Sequence, residues 1–136
     1  SREEARRRLR ERAAVNDAVT AYLQLPPDAR TPERMTALSR ELTEGLYAEP
    51  ADRKARFPFV RTRVRMAVAR GGDDPVVDAL LGATSNDQKV AIILEASRTP
   101  WVRDLDRWLV LAQDEKVVSA DVVKRVQARR AAEAGR

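Results

Sequence analysis

The sequence predicts an all-helical protein, a single compact bundle of six to seven helices with a buried central helix near residues 86–97. Three observations lead to this prediction. Apolar residues recur at spacings of three and four along most of the chain, prolines and glycines separate these stretches, and no two segments alternate well enough to pair as strands. With 136 residues the chain has the length of one domain. We therefore expect one helical domain over residues 1–136, either complete or excised from a longer chain.

Two helices are predicted within the first fifty residues. The first covers residues 2–23, where Val15, Val19 and Leu23 recur at helical spacing, and Leu25-Pro26-Pro27 ends it. Thr31-Pro32-Glu33 is typical of a helix start, with an N-cap, a proline at the first position and an acid in the first turn. The apolar face of this second helix consists of Met35, Leu38, Leu42 and Leu46.

The third helix is predicted to begin at Pro58, after a polar connector over residues 51–58, and to end at Gly71-Gly72. Its period is ambiguous. Val60, Thr62, Val64 and Met66 alternate with arginines as in a half-exposed strand, whereas Val60, Val64, Ala67 and Val68 fit a helical stripe. We predict a helix because no second segment offers a partner strand, and a lone strand is not stable.

Four further helices are predicted in the second half. Asp74-Pro75 begins a short fourth helix that ends at Gly82. Ser85 and Gln88 have the spacing of a capping box for the fifth, which is apolar almost all round over residues 90–94 and is therefore expected to be buried. Thr99-Pro100 is expected to begin the sixth, with Trp101 and Trp108 on one face, either packed in the core or exposed as anchors for a partner protein. Ser119 begins the seventh, with Val122, Val123 and Val126 facing inward. Residues 1–12 and 130–136 are expected to be frayed or extended basic ends.

Composition argues against catalysis. The chain has no cysteine and no histidine, which excludes disulfides, thiolate nucleophiles, imidazole metal ligands and the side chain best suited to proton transfer near neutral pH. The five glycines lack the spacing of a phosphate-binding loop. Asp104 and Asp106 are two residues apart, so they do not share a helix face. We therefore predict a protein that is not an enzyme and has no metal or other cofactor.

No apolar stretch approaches the roughly 20 residues that span a bilayer, and the N-terminus lacks the apolar core of a secretory signal. The predicted location is cytoplasmic, without membrane association. The 22 arginines against 4 lysines fit a GC-rich bacterial genome as well as they fit a need for bidentate phosphate or carboxylate contacts.

The distribution of charge is the main functional clue. The formal net charge is only +5, but residues 53–70 hold seven basic side chains, no acidic one, and two phenylalanines. Phosphate contacts combined with aromatic stacking are how single-stranded nucleic acid is commonly held. Two alternatives stay open: these arginines pair with the acidic segments of the same fold, or they bind an acidic protein. The predicted nucleic-acid-binding residues are Arg53, Lys54, Arg56, Phe57, Phe59, Arg61, Arg63, Arg65 and Arg70.

A loose resemblance points the same way. Residues 59–71, Phe-Val-Arg-Thr-Arg-Val-Arg-Met-Ala-Val-Ala-Arg-Gly, are followed some forty residues later by Asp-Arg-Trp-Leu-Val-Leu-Ala at 106–112. Together they resemble the small helical subunits of type III CRISPR effector complexes, which line a bound nucleic-acid strand. The similarity covers under half of the chain, and we assign no family from it.

The function predicted from the sequence is therefore a non-enzymatic helical module that binds RNA or single-stranded DNA mainly through phosphate, with low sequence specificity. A helix-turn-helix is disfavoured, because neither candidate second helix presents the polar side chains that read base edges. The alternative is a protein-interaction, assembly or adaptor domain with charge-complementary surfaces, acting as a homo-oligomer or as a subunit of a larger assembly.

Overall fold

The structure, a computed structural model, describes residues 1–135. Over this range it contains seven α-helices, a short 3-10 turn at Pro27–Ala29 and no β-strand, which confirms the predicted all-helical bundle of six to seven helices. The chain divides into two compact units, Ser1–Asp74 and a second unit that begins at Pro75. The helices are α1 (Arg2–Leu23), α2 (Pro32–Leu46), α3 (Pro50–Arg70), α4 (Pro75–Leu81), α5 (Asn86–Ala96), α6 (Leu105–Asp114) and α7 (Ala120–Ala134).

The first unit is a three-helix arrangement in which α1, α2 and α3 each pack against the other two. Its core is built mainly from valines, whose branched side chains lose little rotamer freedom when they are buried. Val15 and Val19 of α1 meet Val60, Val64 and Ala67 of α3, and all five are at most 3% exposed. The apolar face predicted for α2 closes this core, since Met35, Leu38, Leu42 and Leu46 pack against it.

Helix α3 is longer than predicted. It begins at Pro50, so the polar connector expected over residues 51–58 is helical and Pro58 lies inside the helix rather than at its start. Pro50 occupies the favoured first position of the helix, where the missing N–H costs nothing. The helix ends as predicted at Gly71, which adopts a left-handed conformation (φ 88°), and the N–H of Gly72 donates to the Ala67 carbonyl at 2.9 Å.

The second unit contains four shorter helices, of which α5 packs against both α4 and α7, while α6 packs against α7. The side chains of Val90 and Ile93 on α5 are buried, whereas Ile92 and Leu94 are half-buried and Ala91 is exposed. The helix predicted near 86–97 is thus present, but it is buried along one stripe rather than all round. The inward valines predicted for α7, Val122, Val123 and Val126, are all buried.

Helix α6 begins later than predicted. Its N-cap is Asp104, whose carboxylate accepts from the Arg107 N–H at 3.1 Å, whereas the Thr99 hydroxyl donates to the Ala96 carbonyl at 2.8 Å and caps nothing. Trp101 therefore precedes the helix. It still meets Trp108, with the rings edge to face and their centroids 4.7 Å apart, and both side chains are buried. The two tryptophans are core residues rather than exposed anchors.

The predicted basic ends lie in helical segments. Residues 2–12 belong to α1, and residues 130–134 belong to α7, while residue 136 lies outside the described range. Across residues 1–135, no helix combines the length and the apolar composition needed to cross a bilayer.

Candidate nucleic-acid interface on the third helix

The seven cations of residues 53–70 all lie on α3, where helical geometry divides them between two faces. At roughly 100° per residue, Lys54, Arg61 and Arg65 lie within about 40° of one another. Arg56, Arg63 and Arg70 form a second group nearly opposite. Arg53 lies in line with the apolar stripe of Val60 and Val64. The acid-free stretch that looks like one patch in the sequence is therefore two surfaces in the fold.

Two arginines of the second group, Arg56 and Arg63, pair with a buried carboxylate. Glu11 of α1 is 0% exposed and accepts a bidentate pair from Arg56, with Nε to Oε1 at 2.7 Å and Nη2 to Oε2 at 3.0 Å. The Arg63 Nε lies 3.5 Å from Glu11 Oε2, and the Tyr47 hydroxyl donates to Glu11 Oε1. We call Glu11, Tyr47, Arg56 and Arg63 the Glu11 cluster. A carboxylate so fully removed from water requires such partners.

The contacts within the Glu11 cluster shift the pKa of two side chains, Tyr47 and Arg56. Burial raises the pKa of the Tyr47 hydroxyl, and so do its hydrogen bond to Glu11 and the negative charge of that carboxylate. For Arg56, burial opposes the charged form, but the hydrogen bond and the charge of Glu11 outweigh it and raise the pKa of the guanidinium. Both shifts favour a protonated Tyr47 hydroxyl and a charged Arg56 across the neutral range.

Two further cations of the segment contact backbone carbonyls of the same unit. Arg53 Nε donates to the Tyr47 carbonyl at 2.7 Å, and Arg70 Nη1 donates to the Asp73 carbonyl. Asp73 in turn receives a bidentate pair from Arg12, at 3.2 and 2.6 Å, and the Arg12 hydrogen bonds lower the pKa of that carboxyl. Arg56 and Arg63 thus pair with an acidic side chain of the same unit, which is the arrangement of the internal alternative, whereas the contacts of Arg53 and Arg70 described here are to backbone carbonyls.

The two phenylalanines do not form one stacking surface. Phe57 is flanked by guanidinium groups, with the Cζ of Arg40 4.7 Å and the Cζ of Arg61 5.6 Å from the ring centroid. Phe59 lies about 160° away around the helix, 43% exposed, with the Arg56 Cζ 4.4 Å from its ring centroid. Each ring is thus already engaged with a cation. The aromatic stacking predicted from the sequence would therefore use the two rings separately, on different sides of α3.

The cations of the first face remain as the candidate contact surface. We call Lys54, Arg61 and Arg65, together with Arg40 of α2, the cationic stripe. Lys54 and Arg40 are exposed, and Arg61 and Arg65 are half-buried. Sequence reasoning missed Arg40, because it lies in a segment where acidic residues predominate and only the packing of α2 on α3 brings it to Phe57.

Metal-ligating side chains do not cluster in the part of the chain that the structure describes. Within residues 1–135 there is no group of three or more acidic, histidine or cysteine side chains that could hold a metal ion. A groove of about 510 Å³ in the first unit lies between α1 and α2, with Ala18, Ala21 and Leu38 in its walls and Arg34 and Glu41 among its polar residues. It contains one carboxylate and therefore no convergent pair.

Comparisons of this chain with protein-family models, with curated proteins and with solved structures found no match.

Proposed function

We propose that this chain is a non-enzymatic module that binds RNA or single-stranded DNA through the phosphate backbone, with the cationic stripe as its contact surface. The observation that supports the proposal is the alignment of Lys54, Arg61 and Arg65 on one face of a 21-residue helix, next to a fourth cation from α2. Positive side chains gathered on one surface create a potential that attracts a strand of phosphates.

The dimensions of the stripe suit a flexible backbone. At 1.5 Å per residue, the Cα atoms of Lys54 and Arg61 are separated by roughly 10 Å along the helix axis, and those of Arg61 and Arg65 by roughly 6 Å. Arginine and lysine side chains are long enough to adjust to phosphates at such intervals. Arg61 is also held in place by Phe57, which reduces the side-chain freedom lost on binding.

Low sequence specificity follows from the same surface. Its side chains are cations, which contact phosphate oxygens at any sequence, whereas base reading needs side chains placed against base edges. The ring nearest to the stripe, Phe57, is flanked by Arg40 and Arg61. We therefore expect similar affinity for oligonucleotides of equal length and different sequence.

A salt titration of fluorescence anisotropy tests the proposal. A labelled single-stranded oligonucleotide should bind the chain at low salt, and the logarithm of the affinity should fall linearly with the logarithm of the salt concentration. The K54A/R61A/R65A variant should reduce that slope by about 2, because each phosphate contact on a single strand contributes about 0.7. The absence of binding at about 50 mM salt would sink the proposal.

A charge-matched control separates the stripe from a general effect of net charge. Arg103, Arg107 and Lys124 are exposed residues of the second unit, and their triple replacement with alanine removes the same three charges. This control should retain the wild-type slope. Equal loss in the two triple variants would mean that total charge, and not the stripe, governs binding.

The second candidate function is that of an assembly or adaptor domain. It is favoured by three large apolar side chains on the surface, Leu9, Phe59 and Val110, which are 61%, 43% and 59% exposed. Light scattering distinguishes the candidates, because an assembly domain should form a defined oligomer without nucleic acid. A monomer that binds oligonucleotides supports the first proposal.

A further inference from the structure

A second concentration of arginines lies in the second unit, at the C-terminal ends of α5 and α7. There a cleft of about 430 Å³ is lined by side chains from both helices and from the turn that follows α5. We call it the arginine cleft. Its lining residues are Leu94, Ser97, Arg98, Arg129, Arg130 and Glu133, with Ala134 at the end of α7.

Two arginines of this cleft, Arg129 and Arg130, differ from Arg125, which precedes them on α7. Arg125 is paired with Asp87 at 2.7 Å and with Asp121 at 3.6 Å, so its charge is already balanced. Arg129 and Arg130 form no ion pair or hydrogen bond with any residue in the described part of the chain. Both are exposed, so a ligand can reach them without a rearrangement of the fold.

The third arginine of the cleft, Arg98, can exchange its present carboxylate partner for a ligand. Arg98 lies 3.2 Å from Glu95, but the two side chains are 78% and 75% exposed, and a pair so open to water contributes little. The Ser97 hydroxyl donates to the Leu94 carbonyl at 2.7 Å. The side-chain donors offered to a ligand are therefore the three guanidinium groups.

The positive charge of the arginines is larger than the partial negative charge of the two helix C-termini beside the cleft. The C-termini of two helices together present the equivalent of about one negative charge, and Glu133 adds another. The three arginines outnumber these two negative charges, and Glu95, which pairs with Arg98, lies outside the lining of the cleft. Each guanidinium can donate two parallel hydrogen bonds to a tetrahedral anion. The cleft has no aromatic side chain in its lining, so it offers no ring on which a base could stack.

We propose that the arginine cleft binds a diphosphate group, either as inorganic pyrophosphate or as the diphosphate of a nucleotide. Adjacent phosphates carry enough charge to engage all three arginines, whereas a single phosphate is small for a space of about 430 Å³. Its residues belong to the second unit and share nothing with the cationic stripe, so this inference stands apart from the proposed function.

Isothermal titration calorimetry of the whole chain with inorganic pyrophosphate tests the site. The R129A/R130A variant should bind roughly tenfold to a hundredfold more weakly, as expected for the loss of charged hydrogen bonds. K124A, an exposed cation of the same helix outside the cleft, should bind like the wild type. E133Q should bind more tightly, because it removes the negative charge of the cleft and deletes no donor.

Two results would contradict the diphosphate site. Absence of binding by the wild type, or an equal loss in K124A and R129A/R130A, overturns the proposal. A parallel titration with ADP identifies the source of the diphosphate: equal affinity indicates that the group is recognised on a nucleotide, and weaker affinity indicates the inorganic ion. The K54A/R61A/R65A variant should retain pyrophosphate binding, so failure of the stripe proposal leaves this result intact.

Discussion

Replacement of Glu11 with glutamine should destabilise the first unit by about 3–5 kcal/mol, the cost of breaking a buried ion pair from one side. Glutamine preserves the shape of the side chain, and its carbonyl oxygen can still accept from the Tyr47 hydroxyl. The negative charge is lost, and an amide NH2 donor replaces the oxygen that accepts from Arg56 Nη2. Arg63, at 5% exposure, then loses the charge of Glu11 while it stays buried, whereas Arg56, with 17% of its side chain exposed, can turn partly to water. Most of the expected cost therefore belongs to Arg63.

If the loss of stability comes from the buried charge of Arg63, then removal of that charge should restore it. In E11Q/R63M the buried positive charge is removed as well, and a methionine of similar length can fill the space, so a large part of the lost stability should return. Glu4 supplies a matched control on the same helix, since its side chain is 58% exposed. The change E4Q should alter stability by no more than about 0.5 kcal/mol.

Urea unfolding followed by far-ultraviolet circular dichroism measures these differences. With a urea slope of about 1–3 kcal/mol per molar, the E11Q midpoint should fall by at least about 1 M. An E11Q variant within about 1 kcal/mol of the wild type would show that the Glu11 charge does not stabilise the fold. Failure of R63M to restore stability would show that the cost does not come from the buried guanidinium.

Two further predictions concern α3 and its neighbours. Because the pKa of Tyr47 is raised in the folded state, its contribution to stability is present below the unfolded tyrosine pKa of about 10 and is lost as the pH rises beyond it. The urea midpoint of the wild type should therefore fall across this alkaline range, and in Y47F that part of the fall should disappear. The change P58A should stabilise the chain by about 1–3 kcal/mol, because it restores a helical N–H donor to the Lys54 carbonyl. A melting temperature that does not rise would argue against a regular helix through residue 58.

Helix starts could be predicted from the sequence because capping is local chemistry. Thr31, Ser85 and Ser119 were predicted to begin helices, and each side-chain oxygen accepts the backbone N–H three residues later, at 3.1, 3.1 and 3.3 Å. The partner of Ser85 in the predicted capping box behaves differently. The Gln88 side chain accepts from the Thr84 N–H at 2.7 Å rather than from that of Ser85.

The errors arose where two local signals competed. Pro50 and Pro58 can each open a helix, and the polar composition of the residues between them favoured the later one. Those residues are nevertheless helical, and the segment is polar partly because Arg53 and Arg56 meet polar or charged groups of the fold. Thr99 and Asp104 competed in the same way for the start of α6, and Asp104 provides the cap.

The division of the 53–70 cations could not be foreseen, because it depends on contacts between distant positions. Glu11 stands in a run of arginines that reads as a solvated helix, yet its partners are 36 to 52 residues away. Amphipathic spacing could indicate that Lys54, Arg61 and Arg65 share a face. It could not show that Arg56 and Arg63, on the opposite face, turn toward a buried carboxylate.

The aromatic residues described above also provide the protein with separate optical reporters. Both tyrosines and both phenylalanines lie before Asp74, and both tryptophans lie after Pro75. Tryptophan emission, excited at the red edge of the absorption band, therefore reports on the second unit alone. The tyrosine band, resolved from that of tryptophan in the second-derivative absorbance spectrum, reports on the first unit. A single denaturant series on the unlabelled chain can thus record two transitions at once, and their coincidence or separation measures whether the halves unfold together.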